Sequence, residues 1–121
     1  MSLKSAIKNF DKLKIDNSKK KLILSDMLEL GNYSKKLHLE AGKEINKTSL
    51  KNINVVGKHI LHTYKNLDKH RRGVILKDKS KIIDLIKNDL NNNDYLMIKG
   101  SNSTGLNNLV NKLKTGKFNA L

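Results

Sequence analysis

An α/β domain of the Rossmann-like, three-layer α/β/α type with a mostly parallel sheet is the fold class this sequence predicts, on three observations. Short apolar runs alternate along the chain with stretches whose apolar residues recur at three and four residue steps. The first of these runs, Lys21 to Leu24, reads as continuously apolar, as in a strand buried on both faces of a parallel sheet. The chain has 121 residues with no Pro, enough for one core that buries roughly two thirds of the surface the unfolded chain exposes. Strands alternating with helices imply right-handed crossovers and helices on both sheet faces.

The elements follow in order. Leu3, Ala6, Ile7, Phe10 and Leu13 form one apolar stripe on a first helix, which Asp16-Asn17-Ser18 ends. Lys21 to Leu24 reads as a short buried strand. A second helix is capped by Asn32 or Ser34, whose side-chain oxygens can accept from free N–H groups of the first turn, and its stripe is Leu37, Ala41 and Ile45. Ile53 to Val56 is a strand, and Ile60, Leu61, Tyr64 and Leu67 stripe the helix after Gly57. Val74 to Leu76 is a third strand. Asp78 caps a helix with Ile82, Ile83, Ile86 and Leu90 inward, Asn91-Asn92-Asn93 ends it, and Tyr95 to Ile98 is a fourth strand. A last helix carries Leu106, Leu109, Val110 and Leu113, and Gly116 ends the regular pattern.

Composition narrows the function classes. The absence of Cys excludes disulfides and thiolate metal sites and is compatible with a reducing compartment, so the cytoplasm is the expected location. No apolar run approaches the roughly 18 residues of a membrane span, and Lys4 and Lys8 interrupt any signal-peptide core. The formal charge of +14 raises a nucleic-acid reading. The cations are nearly all Lys, spread from end to end and accompanied by abundant Asn and Ile. A base composition rich in A and T produces that bias without selection for binding, whereas a nucleic-acid face more often carries Arg and aromatic residues. Nucleic acid is therefore not the expected partner, and Lys69-His70-Arg71-Arg72 is expected in a solvated helix-to-strand connection.

Two loops at the carboxyl ends of strands are candidates for chemistry, because open α/β sheets bind ligands there. The first, Ser25-Asp26-Met27-Leu28-Glu29-Leu30-Gly31, offers the carboxylates of Asp26 and Glu29, which could orient an ammonium group. Equally, Asp26 could cap the backbone of a strand-to-helix turn, with Gly31 supplying a positive φ. The second, Gly100-Ser101-Asn102-Ser103-Thr104-Gly105, has the glycine spacing of half a phosphate-binding loop, but Leu106-Asn107 stands where a P-loop needs Lys and Ser or Thr. Free N–H groups at a helix start and the Ser hydroxyls suit a small carboxylate, and an ordinary capped turn is the alternative. His38, near an apolar stripe, is a packed or capping residue or a site residue. His59 and His62, three apart, could share a metal, but no third ligand is evident and no structural metal is expected. The chain contains no Gly-x-Ser-x-Gly elbow and no Cys nucleophile.

Taken together, Ser25 to Gly31, Tyr33-Ser34-Lys35-Lys36-Leu37-His38-Leu39-Glu40-Ala41-Gly42 and Ile98-Lys99-Gly100-Ser101 resemble the C-terminal domain of the Mur ligases. The resemblance runs from Ser5 to about Leu113. Ser2-Leu3-Lys4-Ser5-Ala6-Ile7 also looks like the family's Ser-Met-x-x-Ala-Ile stretch, while Met1 to Leu3 could instead be a vector-derived start. The departures are Ser25 where the family usually has Gly, Asn102 where it has Arg, and Leu106-Asn107 where Met-Glu is common. Asn cannot replace the planar, bidentate carboxylate partner that Arg provides.

The resemblance implies residues 1–121 as a single C-terminal domain, with the UDP-sugar-binding and central ATP-binding domains absent from this chain. It implies ATP-dependent amide formation in peptidoglycan precursor synthesis, adding D-Ala-D-Ala to UDP-MurNAc-tripeptide, with ATP and Mg²⁺ held by the full-length enzyme and none by this domain alone. Substrate binding would fall to Asp26, Glu29, Gly31, His38, Lys99, Gly100, Ser101 and Asn102, with no catalytic residue in this domain, which would close on its own central domain. Ligases for diaminopimelate or polyglutamate carry a Pro-containing loop that a chain without Pro cannot have. The competing class is a free-standing basic α/β nucleic-acid-binding module.

Overall fold

The computed structural model describes residues 2–28, 34–91 and 93–101. The elements are α1 (Leu3–Lys12), β1 (Lys20–Ser25), α2 (Lys35–Asn46), β2 (Ile53–Val56), α3 (Leu61–Asn66), β3 (Arg72–Leu76), α4 (Ser80–Asp89) and β4 (Tyr95–Lys99), with 3-10 turns at Asn17–Lys19 and Lys69–Arg71. All four strands are parallel, in the order β3-β2-β1-β4. The expected three-layer α/β domain is therefore present, with each expected strand in its place. The expected last helix, Asn32 and Asn92 lie outside the described residues. Among the described residues no helix is long and apolar enough to cross a membrane.

Alternation along β1 divides the core in two. Leu22 and Leu24 join Ile7 and Phe10 of α1, Ile45 of α2, and Ile53, Val55, Ile60 and Leu67 on one side of the sheet. Ile23 and Val56 join Ile82 and Ile86 of α4 on the other. Successive strand residues point to opposite faces, so one continuously apolar strand serves both layers. Burial is complete for Leu22, Ile23 and Leu24, each at 0 % exposure. The helix caps agree with the side-chain chemistry. Ser2 accepts from the Ser5 N–H, and Ser34 from the Leu37 N–H. The Asp78 carboxylate accepts from both the N–H and the hydroxyl of Ser80 at the start of α4. Leu13 departs from its expected stripe: α1 stops at Lys12, Leu13 turns extended (φ −59°, ψ 133°), and its side chain is 45 % exposed.

The basic run is not the solvated connection its composition predicts. Arg71 donates from Nη1 to the Leu50 carbonyl (2.8 Å) and from Nη2 to the Asn46 carbonyl (3.2 Å). Arg72 donates to the carbonyls of Leu67 (3.2 Å) and Lys65 (2.9 Å) and lies over the Tyr64 ring, 5.5 Å from its centroid. Helix ends leave carbonyls without intrahelical partners, and two guanidiniums satisfy them at the ends of α2 and α3; only Lys69 and His70 of the run are exposed. Lys20, 1 % exposed, likewise donates to the Asp11 carbonyl near the end of α1 at 2.7 Å. Part of the positive charge is thus built into the fold.

β3 begins two residues before its expected start because its pairing is irregular. The register with β2 shifts between Ile53 and Val55. Buried Asn54 bridges the gap, accepting from the Val74 N–H (2.9 Å) and donating to the carbonyls of Leu22 (3.1 Å) and Asn52 (3.2 Å). Its carboxamide crowds the Cα of Gly73 so closely that a side chain there would strike it. A polar residue in an apolar strand is tolerated because every hydrogen-bonding direction it uses ends on a backbone group.

Candidate functional site

The strand order creates the crevice. From β1 the chain moves outward to β2 and β3 through helices on one face, then returns through α4 on the other face to place β4 on the free edge of β1. The strand order therefore reverses between β1 and β4, and the crevice at the strand carboxyl ends beside such a point is where open α/β sheets take ligands. Leu24 pairs with Lys99 in register. Just beyond, the Ser101 N–H donates to the Asp26 carbonyl at 3.0 Å. The two loops singled out by sequence therefore touch.

Asp26 also caps backbone, but not that of its own turn. Its Oδ1 accepts from the Ile60 N–H at 2.7 Å and its Oδ2 from the Lys58 N–H at 3.3 Å, both in the loop between β2 and α3. Gly57 makes this approach possible. It sits at φ +127°, where L side chains rarely go, and a Cβ on it would stand 2.6 Å from Asp26 Oδ1. One residue thus couples three loops, its carbonyl to the loop after β4 and its carboxylate to the loop after β2.

His38 is 0 % exposed and closes the first loop on itself. Its Nε2 lies 3.0 Å from the Met27 nitrogen and its Nδ1 lies 2.7 Å from the Ser34 carbonyl oxygen. A backbone N–H can only donate, so Nε2 carries the lone pair and Nδ1–H donates to Ser34. The imidazole therefore ties residue 27 to residue 34 and acts as a positioning residue. The backbone carbonyl of His38 accepts from the Thr63 hydroxyl at 2.6 Å, fastening α2 to α3.

The imidazole of His59 stands 6.2 Å from that of His38, centroid to centroid. Nearby, the pKa of His62 is lowered, first by desolvation and then by positive neighbours beginning with Lys35. A lowered histidine pKa means the unfolded chain takes up its proton first. Stability should thus be fully present above the ordinary histidine pKa of about 6.5 and decline as pH falls through it toward the folded value. Thermal melts between pH 7.5 and 5.5 should show that decline, and His62→Gln should flatten it.

Lys99 lines a hollow beside α1 together with Asn9, Phe10, Leu13 and Met97. Gly100 and Ser101 follow it at the crevice, half-buried. Glu29, Gly31 and Asn102 lie outside the described residues. A separate hollow of about 260 Å³ opens at the opposite end of the sheet between Lys21, Asn54, Asp89 and Leu96. Among the described residues no three His, Cys, Asp or Glu side chains are grouped to hold a metal ion. Backbone amides, a capping carboxylate and an imidazole fixed in one tautomer hold these loops in place. Sequence reasoning missed the third wall of this arrangement, Gly57 to Ile60. Its one local signal is a Gly directly after the apolar run Val55-Val56. Compared with models of known protein families, the chain matches none.

Proposed function

We propose that this chain is the C-terminal, amine-substrate-binding domain of a Mur ligase. The counterpart proposed is MurF, the enzyme that joins D-Ala-D-Ala to UDP-MurNAc-tripeptide. One observation carries the reading: the hydrogen bond between Asp26 and Ser101 joins, where the strand order reverses, the first and the last of the three segments on which the resemblance rests. In the full-length enzyme, ATP with Mg²⁺ on the preceding domains would phosphorylate the tripeptide carboxylate. The dipeptide amine, delivered by this domain, would attack the acyl phosphate and release phosphate. Closure on the central domain would keep water from that intermediate. The Asp26 carboxylate is committed to the Lys58 and Ile60 N–H groups, so the loop held by His38 and Asp26 would offer Glu29 to the ammonium group, and the segment from Gly100 to Gly105 would meet the dipeptide carboxylate. The engagement of Arg71 and Arg72 with backbone carbonyls removes support from the nucleic-acid alternative.

The test is a titration of the ¹⁵N-labelled chain with D-Ala-D-Ala. Shifts are expected at the amides of Met27, His38, Gly100 and Ser101. A half-site recovers only part of the contacts, so affinity should be weak, on the order of millimolar. L-Ala-L-Ala should leave these amides unmoved, and the chain alone should show no ATPase or ligase turnover. Equal shifts with both dipeptides, or none at the crevice, would sink the reading.

A further inference from the structure

We propose that the open edge of β3 is a docking strand for an acidic, extended segment of a partner protein, which would add a strand to the sheet. This proposal is independent of the crevice and its ligand. β3 is the terminal strand of the sheet. Val74 and Ile75 in it are 46 % and 54 % exposed. Consecutive strand residues point to opposite faces, so this edge offers apolar surface on both sides. The inner side of the bulge is already satisfied, the Val74 N–H by Asn54 and the Gly73 carbonyl by the Tyr64 hydroxyl at 2.8 Å. The strand is thus held in place from within, while among the described residues its outer edge has no neighbouring strand.

Charge decides what fits there. From residue 69 to 81 the chain carries six Lys and Arg against one carboxylate, Asp78, and Ser80 already occupies that carboxylate. Arg71 and Arg72 are engaged with the fold and Lys81 pairs with Asp84 at 3.8 Å, which leaves exposed Lys69 before the strand and exposed Lys77 and Lys79 after it. Native proteins use lysines to keep edges from pairing with like edges. A second copy joined across a two-fold axis would run antiparallel, setting Lys69 of one chain near Lys77 and Lys79 of the other, with a charge of +14 on each chain. An acidic extended segment meets the same frame favourably. Main-chain hydrogen bonds to β3 would supply affinity, apolar side chains would cover Val74 and Ile75, and carboxylates at either end would reach the lysines.

The probe is the fluorescein-labelled, C-amidated heptapeptide Glu-Glu-Val-Val-Val-Glu-Glu, followed by anisotropy and by amide exchange of the chain. Binding with new protection confined to β3 and its flanks is expected. A peptide of equal charge with a central Pro, which cannot pair as a strand, should bind at least tenfold more weakly. Ile75→Ser and the double variant Lys77→Glu/Lys79→Glu alter exposed side chains. Each should weaken binding about tenfold with an unchanged circular dichroism spectrum. Equal binding of the Pro peptide, protection elsewhere, or stronger perturbation of the β3 amides by a thymidine oligonucleotide than by the peptide would overturn the proposal.

Discussion

Replacing Gly57 by Ala should lower the melting temperature by roughly 10 to 15 °C. Two costs add. A side chain at φ +127° is strained, which costs about 1 to 3 kcal/mol. The new Cβ would also stand 2.6 Å from Asp26 Oδ1, forcing the carboxylate off the N–H groups of Ile60 and Lys58. Hydrogen bonds to a charged acceptor contribute about 1.5 to 3 kcal/mol. Asp26→Asn separates the two costs, since it keeps the shape and the glycine but loses the charge and one acceptor, and its loss should be about half as large. Amide exchange adds a spatial readout. In Gly57→Ala the Ile60 amide should lose protection first, followed by Ser101, because Asp26 joins their loops. A Gly57→Ala chain that melts within two degrees of the parent would show that Asp26 does not couple these loops.

The division between what was legible in the sequence and what was not follows from the range of the interactions. Helix periodicity is local, and the stripes Ala6-Ile7-Phe10 and Ile82-Ile86 are buried as their spacing predicts. β2 runs from Ile53 to Val56 as expected because its apolar run is bounded on both sides by polar residues and Gly. Strand order, by contrast, depends on which edge of β1 receives β4, and no local pattern encodes that choice. The start of β3 at Arg72 was hidden because Gly73 and Arg72 do not read as strand. They become strand through the side chain of Asn54, a contact distant in sequence. Arg71 and Arg72 read as solvated because composition does not reveal the helix-end carbonyls they meet. At the site, both loops were visible as acidic or Gly-rich segments after apolar runs. The link from Asp26 to Gly57 was not, because a carboxylate that caps its own turn and one that caps a neighbouring loop have the same local sequence.

His38→Ala should cost about 3 to 5 kcal/mol, in the range for breaking a buried network, and substitutions chosen by atom position can show what the imidazole does. Truncation leaves the Met27 N–H and the Ser34 carbonyl without their partner and opens a void where a fully buried ring stood. Each orphaned group costs about 1 to 3 kcal/mol, and the void adds to that. Asn places its amide where Nδ1 was and can restore the donation to Ser34. Gln places its amide oxygen where Nε2 was and can restore the acceptor for Met27. If His38 holds the loop, each should recover part of the lost stability, and Gln alone should restore slow exchange of the Met27 amide. The dipeptide titration should follow the same ranking, with the response at Met27 retained in Gln, reduced in Asn and lost in Ala. A Gln variant with parental stability and Met27 protection but no dipeptide response would move His38 from positioning residue to direct contact. Stability and binding lost together in Ala and regained together in Gln would mean that the crevice depends on His38 only through the loop it fastens.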